Sequence, residues 1–401
     1  MKRDDERIER IQAALQRSGL DALVCALPAN VLMLSGYWPV VGTSLAIATK
    51  DGSVVLIIPE DEKELTETSW ADEVRTFSGG SLRELKSVIE IVSLRLAEVL
   101  PELNIKRGCI LGFESGPIFE PASYASMHLY GAAIYDLLHM AARFVALMPA
   151  RELLAELRSS LTAGELNRVR AACRVARNAF SEGAKALRAG LQEVEVGAMF
   201  RAPLSIKDSQ NESVMRSDGF TFCMSGPNSA HASAAYQISR TRKIRTGDFV
   251  LVHCNSYADG YWTDITRTFS VGEIDERKRA MYEAVFAARR AALDTVRAGV
   301  KASEVDRATR DVLTERGFGE GFRHGLGHGV GFHAINHNAP PRLHPASEDV
   351  LETGMVFNIE PAIYMDGYGG LRHCDMVAVT KKGVEVLTPF QSSVEQLIIR
   401  S

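Results

Sequence analysis

The run HGLGHGVGFHAINHNAP, from His324 to Pro340, sets four imidazoles, His324, His328, His333 and His337, into one short stretch with glycine at 325, 327, 329 and 331. Helix is costly there, by about 1 kcal/mol for each glycine, so the run reads as extended chain. In a strand, His324 and His328 leave on the same side, and the missing side chains let another backbone or a ligand approach closely. Imidazoles gathered in this way hold a metal, move protons, or merely furnish a polar loop.

The flanking sequence supplies groups that could converge on these rings. In RTGDFVLVHCNSYADGYWTDITRTF, two strand-like runs flank Ala258-Asp259-Gly260, so a hairpin brings His253 back toward Asp264; their offset of 11 predicts opposite positions to within a bulge. GMVFNIEPAIY is an apolar strand carrying Glu360, and a buried carboxylate needs a partner or a cation. GGLRHCDMVAV begins another strand, where alternation turns either Cys374, or His373 together with Asp375, inward. Asp264, His328, Glu360 and a thiol or imidazole form a candidate shell for one divalent cation.

A chain of 401 residues is too long for one ordinary core and predicts two domains. Residues 1–150 alternate helix and strand signals: IERIQAALQRSGL as a helix stopped by Gly19, DALVCAL as a buried strand, SLAIATKDGSVVLIIP as a hairpin, and a helix over SLRELKSVIEIVSLRLAEVL ending at Pro101. This is a small α/β domain. Residues 151–401 open with a long helical stretch, in which Thr162 and Glu165 have capping-box spacing, and continue as strands interrupted by helices near 274–298 and 302–316. This second domain is α+β.

A formal charge of −4 gives no footprint for nucleic acid or an anionic membrane, which leaves small molecules or a second copy as expected partners. MKRDDERIER lacks the apolar run of a secretory signal, and no later segment keeps 18 uncharged apolar residues together, so the expectation is a cytoplasmic protein that neither spans nor crosses a membrane. The six cysteines form no CxxC pair and read as reduced thiols.

Taken in order, LRSSLTAGEL, SGPN at Ser225–Asn228, DITRT, HGLGHGVG, DVLETGMVFNIEP and GGLR-x-x-D resemble the creatinase/prolidase/methionine aminopeptidase family over nearly the whole chain. The resemblance implies a pita-bread C-terminal domain at 151–401, preceded by a smaller creatinase/prolidase-type domain at 1–150. In metal-dependent members it implies five ligands. Asp264, His328 and Glu360 occupy three of these positions; His253 stands where the family has an aspartate, and Cys374 where it has the last glutamate. Two divalent ions a few Å apart need more carboxylate than remains here. The expectation is therefore one Zn²⁺, with Mn²⁺ the alternative, held by Asp264, His328, Glu360 and Cys374 or His253, or no metal at all as in creatinase and the ectoine hydrolases.

The family's substrate histidines fall on His324, on His337 if two residues are inserted, and on His231 or Tyr236. The implied activity is hydrolysis of an amide-type C–N bond in a small molecule or dipeptide by an Xaa-Pro peptidase-like enzyme. Glu360 would be the base, with His324 and His337 as oxyanion or leaving-group partners. A metal-free hydrolase of a compact zwitterion, with His253 or Cys374 recruited for proton transfer or attack, and a non-catalytic binding module are the other readings. A homodimer is implied by the resemblance alone.

Overall fold

The computed structural model describes residues 3–40, 43–78, 87–115, 131–205, 214–234, 238–337 and 339–400. The chain divides into two compact units, Met1–Arg158 and Ser159–Ser401. Among the described residues no helix is long and apolar enough to cross a membrane.

In the first unit, α1 (Asp5–Ser18) buries Ile8, Ile11 and Leu15 at helical spacing; Asp4 caps it by accepting the Arg7 N–H, and Gly19 ends it at φ 69°. Strands β1 (Ala22–Cys25), β2 (Leu45–Thr49), β3 (Val54–Pro59), β4 (Glu73–Phe77), β5 (Ile110–Phe113) and β6 (Ala146–Pro149) form one sheet in the order β4-β3-β2-β1-β5-β6. The predicted hairpin joins β2 to β3. Helix α2 (Pro28–Ser35) follows β1, and α3 (Val88–Glu102) and α4 (Gly131–Ala141) pack Leu96, Leu100 and Leu138 against Val24, Ile47, Ile57 and Leu111. Helix α3 runs one residue past Pro101, the expected stop, and its expected start at Ser81 lies outside the described residues.

After α5 (Arg151–Ser159), the second unit begins with α6 (Ala163–Ala186), whose capping box forms as the spacing predicts. The Glu165 N–H donates to Thr162 Oγ1 at 3.2 Å and the Thr162 N–H donates to the Glu165 carboxylate at 2.8 Å. Such a cap contributes about 1 kcal/mol. Helix α7 (Glu193–Arg201) leads to β7 (Ser217–Ser225), β8 (Phe249–Ala258) and β9 (Tyr261–Val271); α8 (Glu276–Thr295) and α9 (Ala302–Glu315) fill the two helical spans predicted.

The site is built on β8, β9 and the strands that follow. The glycine-rich run is regular strand only at β10 (Gly327–His328), which pairs with β11 (Arg342–Leu343). Next come β12 (Val356–Ile359), β13 (Ala362–Met365), β14 (Gly369–Arg372), β15 (Asp375–Thr380), β16 (Gly383–Val386) and β17 (Ile398–Ile399). They make a sheet β12-β15-β16, a hairpin β13-β14, and an edge strand β17 beside β9 in the sheet β17-β9-β8-β7.

One predicted register is corrected. The β8–β9 loop has two residues, Asp259 at φ 48° and Gly260 at φ 84°, the positive pair that a twisted hairpin prefers. Ala258 therefore belongs to the strand and pairs with Tyr261, which places Thr266 opposite His253 and Asn255 opposite Asp264. His253 and Asp264 are diagonal neighbours, without a bulge. Because side chains alternate, His253, Asn255, Asp264 and Thr266 still share one face.

Candidate active site

Gly327 explains how the histidine run meets β12. A Cβ there would lie 2.7 Å from Asn358 Oδ1 and closer still to the Asn358 carbonyl oxygen, so only glycine lets the two chains approach. The approach lets the His328 N–H donate to Asn358 Oδ1 at 2.7 Å. His328 Nδ1 meets the Gly329 carbonyl at 3.1 Å; a carbonyl only accepts, so Nδ1 carries the proton and Nε2 faces Asp264 Oδ2 at 3.5 Å.

Across the hairpin, His253 Nδ1 lies 3.7 Å from Asp264 Oδ1. Arg372, at the end of β14, donates from Nη2 to His253 Nδ1 at 3.1 Å and from Nε to Thr266 Oγ1 at 3.1 Å; its Nη1 lies 3.6 Å from Glu360 Oε2. A guanidinium only donates, so His253 Nδ1 is an acceptor, and its Nε2–H is left to donate to Asn255 Oδ1 at 3.0 Å. Cys374 bridges to Thr266 and turns its Sγ–H to the Asp264 carbonyl at 3.2 Å, with Asp264 Oδ1 at 3.7 Å. His373 points the other way, against Phe286 and 3.4 Å from Asp375 Oδ2. The choice left open by alternation thus falls on Cys374.

Burial and charge set the protonation of these groups. Burial pushes the Asp264 carboxyl up, but His253, the hydrogen bond from His328 and Arg372 outweigh it and hold it at about 2. For His328 burial favours the neutral ring, and Asp264 and then Glu360 reverse this, leaving it raised. Burial lifts Glu360 to about 7 against the pull of Arg372. His253, His324 and His337 are all lowered to about 4, chiefly by burial. Burial, and then Asp264 and Glu360, push the Cys374 thiol well up, so it stays protonated.

His253, Asp264, His328, Glu360 and Arg372 line a cavity of about 600 Å³ in the second unit, together with His324, His337, Arg342, His344 and Ser233; Cys374 lies behind Asp264 and is not part of its wall. His324 Nδ1–H donates to the Gly325 carbonyl at 2.8 Å, and Nε2 accepts from the Tyr364 hydroxyl at 3.0 Å. The His337 ring stands edge-on to His328, centroids 4.6 Å apart. His231 lies elsewhere, in a smaller cavity of about 210 Å³ with Arg323 and Asp366; Tyr236 lies outside the described residues. Reading by residue type overlooked Arg372, Asn358, Asn255, Thr266 and Tyr364. Arg372 was within reach, since it stands two residues before Cys374 and so shares its face.

Residues 167–381 match the model of metallopeptidase family M24, and residues 7–160 match the creatinase/prolidase N-terminal domain. The chain belongs to family M24. It is 27% identical over 385 residues to an Xaa-Pro dipeptidase of Pyrococcus horikoshii, covering 96% of this chain and 97% of that protein. The solved Xaa-Pro dipeptidase from Bacillus anthracis superposes with a TM-score of 0.76 at 26% identity over 99% of both chains. The prolidase structure from Pyrococcus horikoshii gives 0.74 at 27%, covering 96% of this chain and 98% of that one. With M24 membership come the pita-bread fold that the motifs implied and the reaction class, hydrolysis.

M24 is a family of metallopeptidases, and the donor set here departs from what a divalent ion needs. Asp264 and His328 keep the orientation of ligands. His253, however, has its lone pair turned to a guanidinium, and Cys374 is a thiol bonded to a backbone carbonyl. Among the described residues no three His, Cys, Asp or Glu side chains are gathered so as to hold one ion. The set as arranged does not fit the single zinc or manganese expected from the sequence.

Proposed function

We propose that this M24 chain hydrolyses an amide-type C–N bond in a small substrate, with an Xaa-Pro dipeptide as the substrate class. The supporting observation is the set Asp264, His328 and Glu360 on the wall of a cavity of about 600 Å³, a size suited to a dipeptide. Its whole-length relative from Pyrococcus horikoshii is named for the same activity.

In this reading Glu360, at about 7, takes a proton from water as its oxygen bonds to the substrate carbonyl carbon. The carbonyl electron pair moves onto oxygen, where the positive charge favoured on His328 by Asp264 stabilises it. As the tetrahedral centre collapses and the C–N bond breaks, the leaving nitrogen takes the proton that Glu360 removed from water, and His337, kept neutral by burial, accepts a hydrogen bond from the leaving group. His324, on the cavity wall and held by the Tyr364 hydroxyl at 3.0 Å, is the substrate contact.

The exchanges at His253 and Cys374 favour a second reading, a creatinase-type hydrolase acting on a guanidino acid or a cyclic amidine. One assay separates the two: amine release from a panel of Xaa-Pro dipeptides and from such zwitterions. Turnover of the dipeptides supports the first reading; turnover confined to the zwitterions supports the second. No hydrolysis of any member removes both.

A further inference from the structure

We propose that the Arg372 guanidinium takes over the role of a bound cation in this site, fixing His253 in one tautomer and balancing Glu360, so that hydrolysis proceeds without a divalent ion. This deepens the hydrolase reading and rests on it.

The argument starts from charge. A site holding Asp264 and Glu360 in a dry wall needs compensating positive charge, because each uncompensated buried carboxylate costs several kcal/mol. Arg372 is 4% exposed and sits within 3.6 Å of Glu360 Oε2. Its Nη2 is 3.1 Å from His253 Nδ1, an atom 3.7 Å from Asp264 Oδ1. One fixed cation therefore serves both carboxylates.

The two exchanged residues suit this arrangement. An aspartate at 253 would bring a further negative charge, whereas imidazole offers a neutral acceptor to Arg372 and a donor to Asn255 Oδ1. A glutamate at 374 would add another negative charge beside Asp264, whereas the thiol donates to the Asp264 carbonyl. Both substitutions remove demand for a second source of positive charge, and both engage in bonds that ligation would break. Arg372 is itself anchored through Thr266 Oγ1 and by its own N–H to Thr268 Oγ1, at 3.1 and 3.0 Å. Its role is that of a positioning residue acting through His253 and Glu360.

The test combines metal analysis with imidazole spectroscopy on the full chain. Protein purified without chelator should carry far less than one ion per chain, and added Co²⁺ should give no thiolate charge-transfer band. In ¹⁵N–¹H spectra His253 should be the pure Nε2–H tautomer in wild type, mix with the other in Arg372→Gln, and return toward the first in Arg372→Lys. Turnover in Arg372→Gln should fall roughly 100-fold, as on loss of one preorganised donor. A stoichiometric ion with a cobalt–sulfur band, or a His253 tautomer unchanged in Arg372→Gln, overturns the proposal. Should that variant not fold, wild-type metal content and tautomer decide the question alone. Hydrolysis with a bound ion would retain the hydrolase reading and reject this one; a metal-free protein with the stated tautomer but no turnover on any substrate would reject the hydrolase reading and, with it, metal-free hydrolysis.

Discussion

Replacing Gly327 with alanine tests how the histidine run is positioned. The new Cβ would stand 2.7 Å from Asn358 Oδ1, where ordinary contact begins at 3.4 Å, and would overlap the Asn358 carbonyl more severely. Neither neighbour can swing aside cheaply: the carbonyl is backbone, and Oδ1 is held by the His328 N–H at 2.7 Å. Parting β10 from β12 forfeits that hydrogen bond, about 1 kcal/mol, and adds an overpacking cost of about 1–3 kcal/mol. The sum is roughly 2–4 kcal/mol. His328 moves with β10, so its Nε2 leaves its place 3.5 Å from Asp264 Oδ2. A displacement near 1 Å lowers turnover by about 100-fold. Urea unfolding and kcat/KM on the best substrate read both effects. A Gly327→Ala protein with wild-type stability and turnover would refute the claim that this glycine sets the approach.

Three further outcomes follow from buried groups. His373 has both ring nitrogens buried without a hydrogen-bond partner among the described residues and its pKa lowered to about 4 by burial and Arg267. The folded state thus binds fewer protons than the unfolded one, so its stabilising effect is present above about 6.5 and is lost as pH falls through 4. His373→Leu should lose less stability than wild type over that window, by about 1–3 kcal/mol in urea titrations; parallel curves would contradict this. Asp375 accepts from Arg267 and Arg289 at 2.7 and 2.5 Å, all but Arg289 fully buried. Asp375→Ala should therefore cost about 3–5 kcal/mol by calorimetry, and a near-neutral result would show that the arginines find other acceptors. Cys374 is a buried, protonated thiol, so Cys374→Ser should stay within a few-fold of wild-type turnover and iodoacetamide should not inactivate the enzyme; rapid inactivation would point to a thiolate nucleophile.

The fold was legible wherever local chemistry left few options. Thr162 and Glu165 announced a helix start, Gly19 a helix end, and Asp259-Gly260 a hairpin whose loop length alone was misjudged. Alternation at Arg372, His373 and Cys374 left two choices that no local signal separates; the bridge from Cys374 to Thr266 on a distant strand makes the selection. The roles of Asn255, Asn358 and Arg372 were hidden for a related reason. Polar side chains such as these are common in loops and on surfaces, and they become site residues only when remote strands turn them toward the same imidazoles. His231 shows the converse, a histidine near the SGPN motif that ends in another cavity.

The most direct measurement is the pH dependence of kcat/KM for wild type and Glu360→Gln on whichever panel member turns over fastest. With Glu360 as the base, wild-type activity should fall as pH drops below about 7, and the glutamine variant should lose about 10²–10⁴-fold while remaining folded. A folded Glu360→Gln protein with undiminished turnover would contradict Glu360 as the base of this reaction.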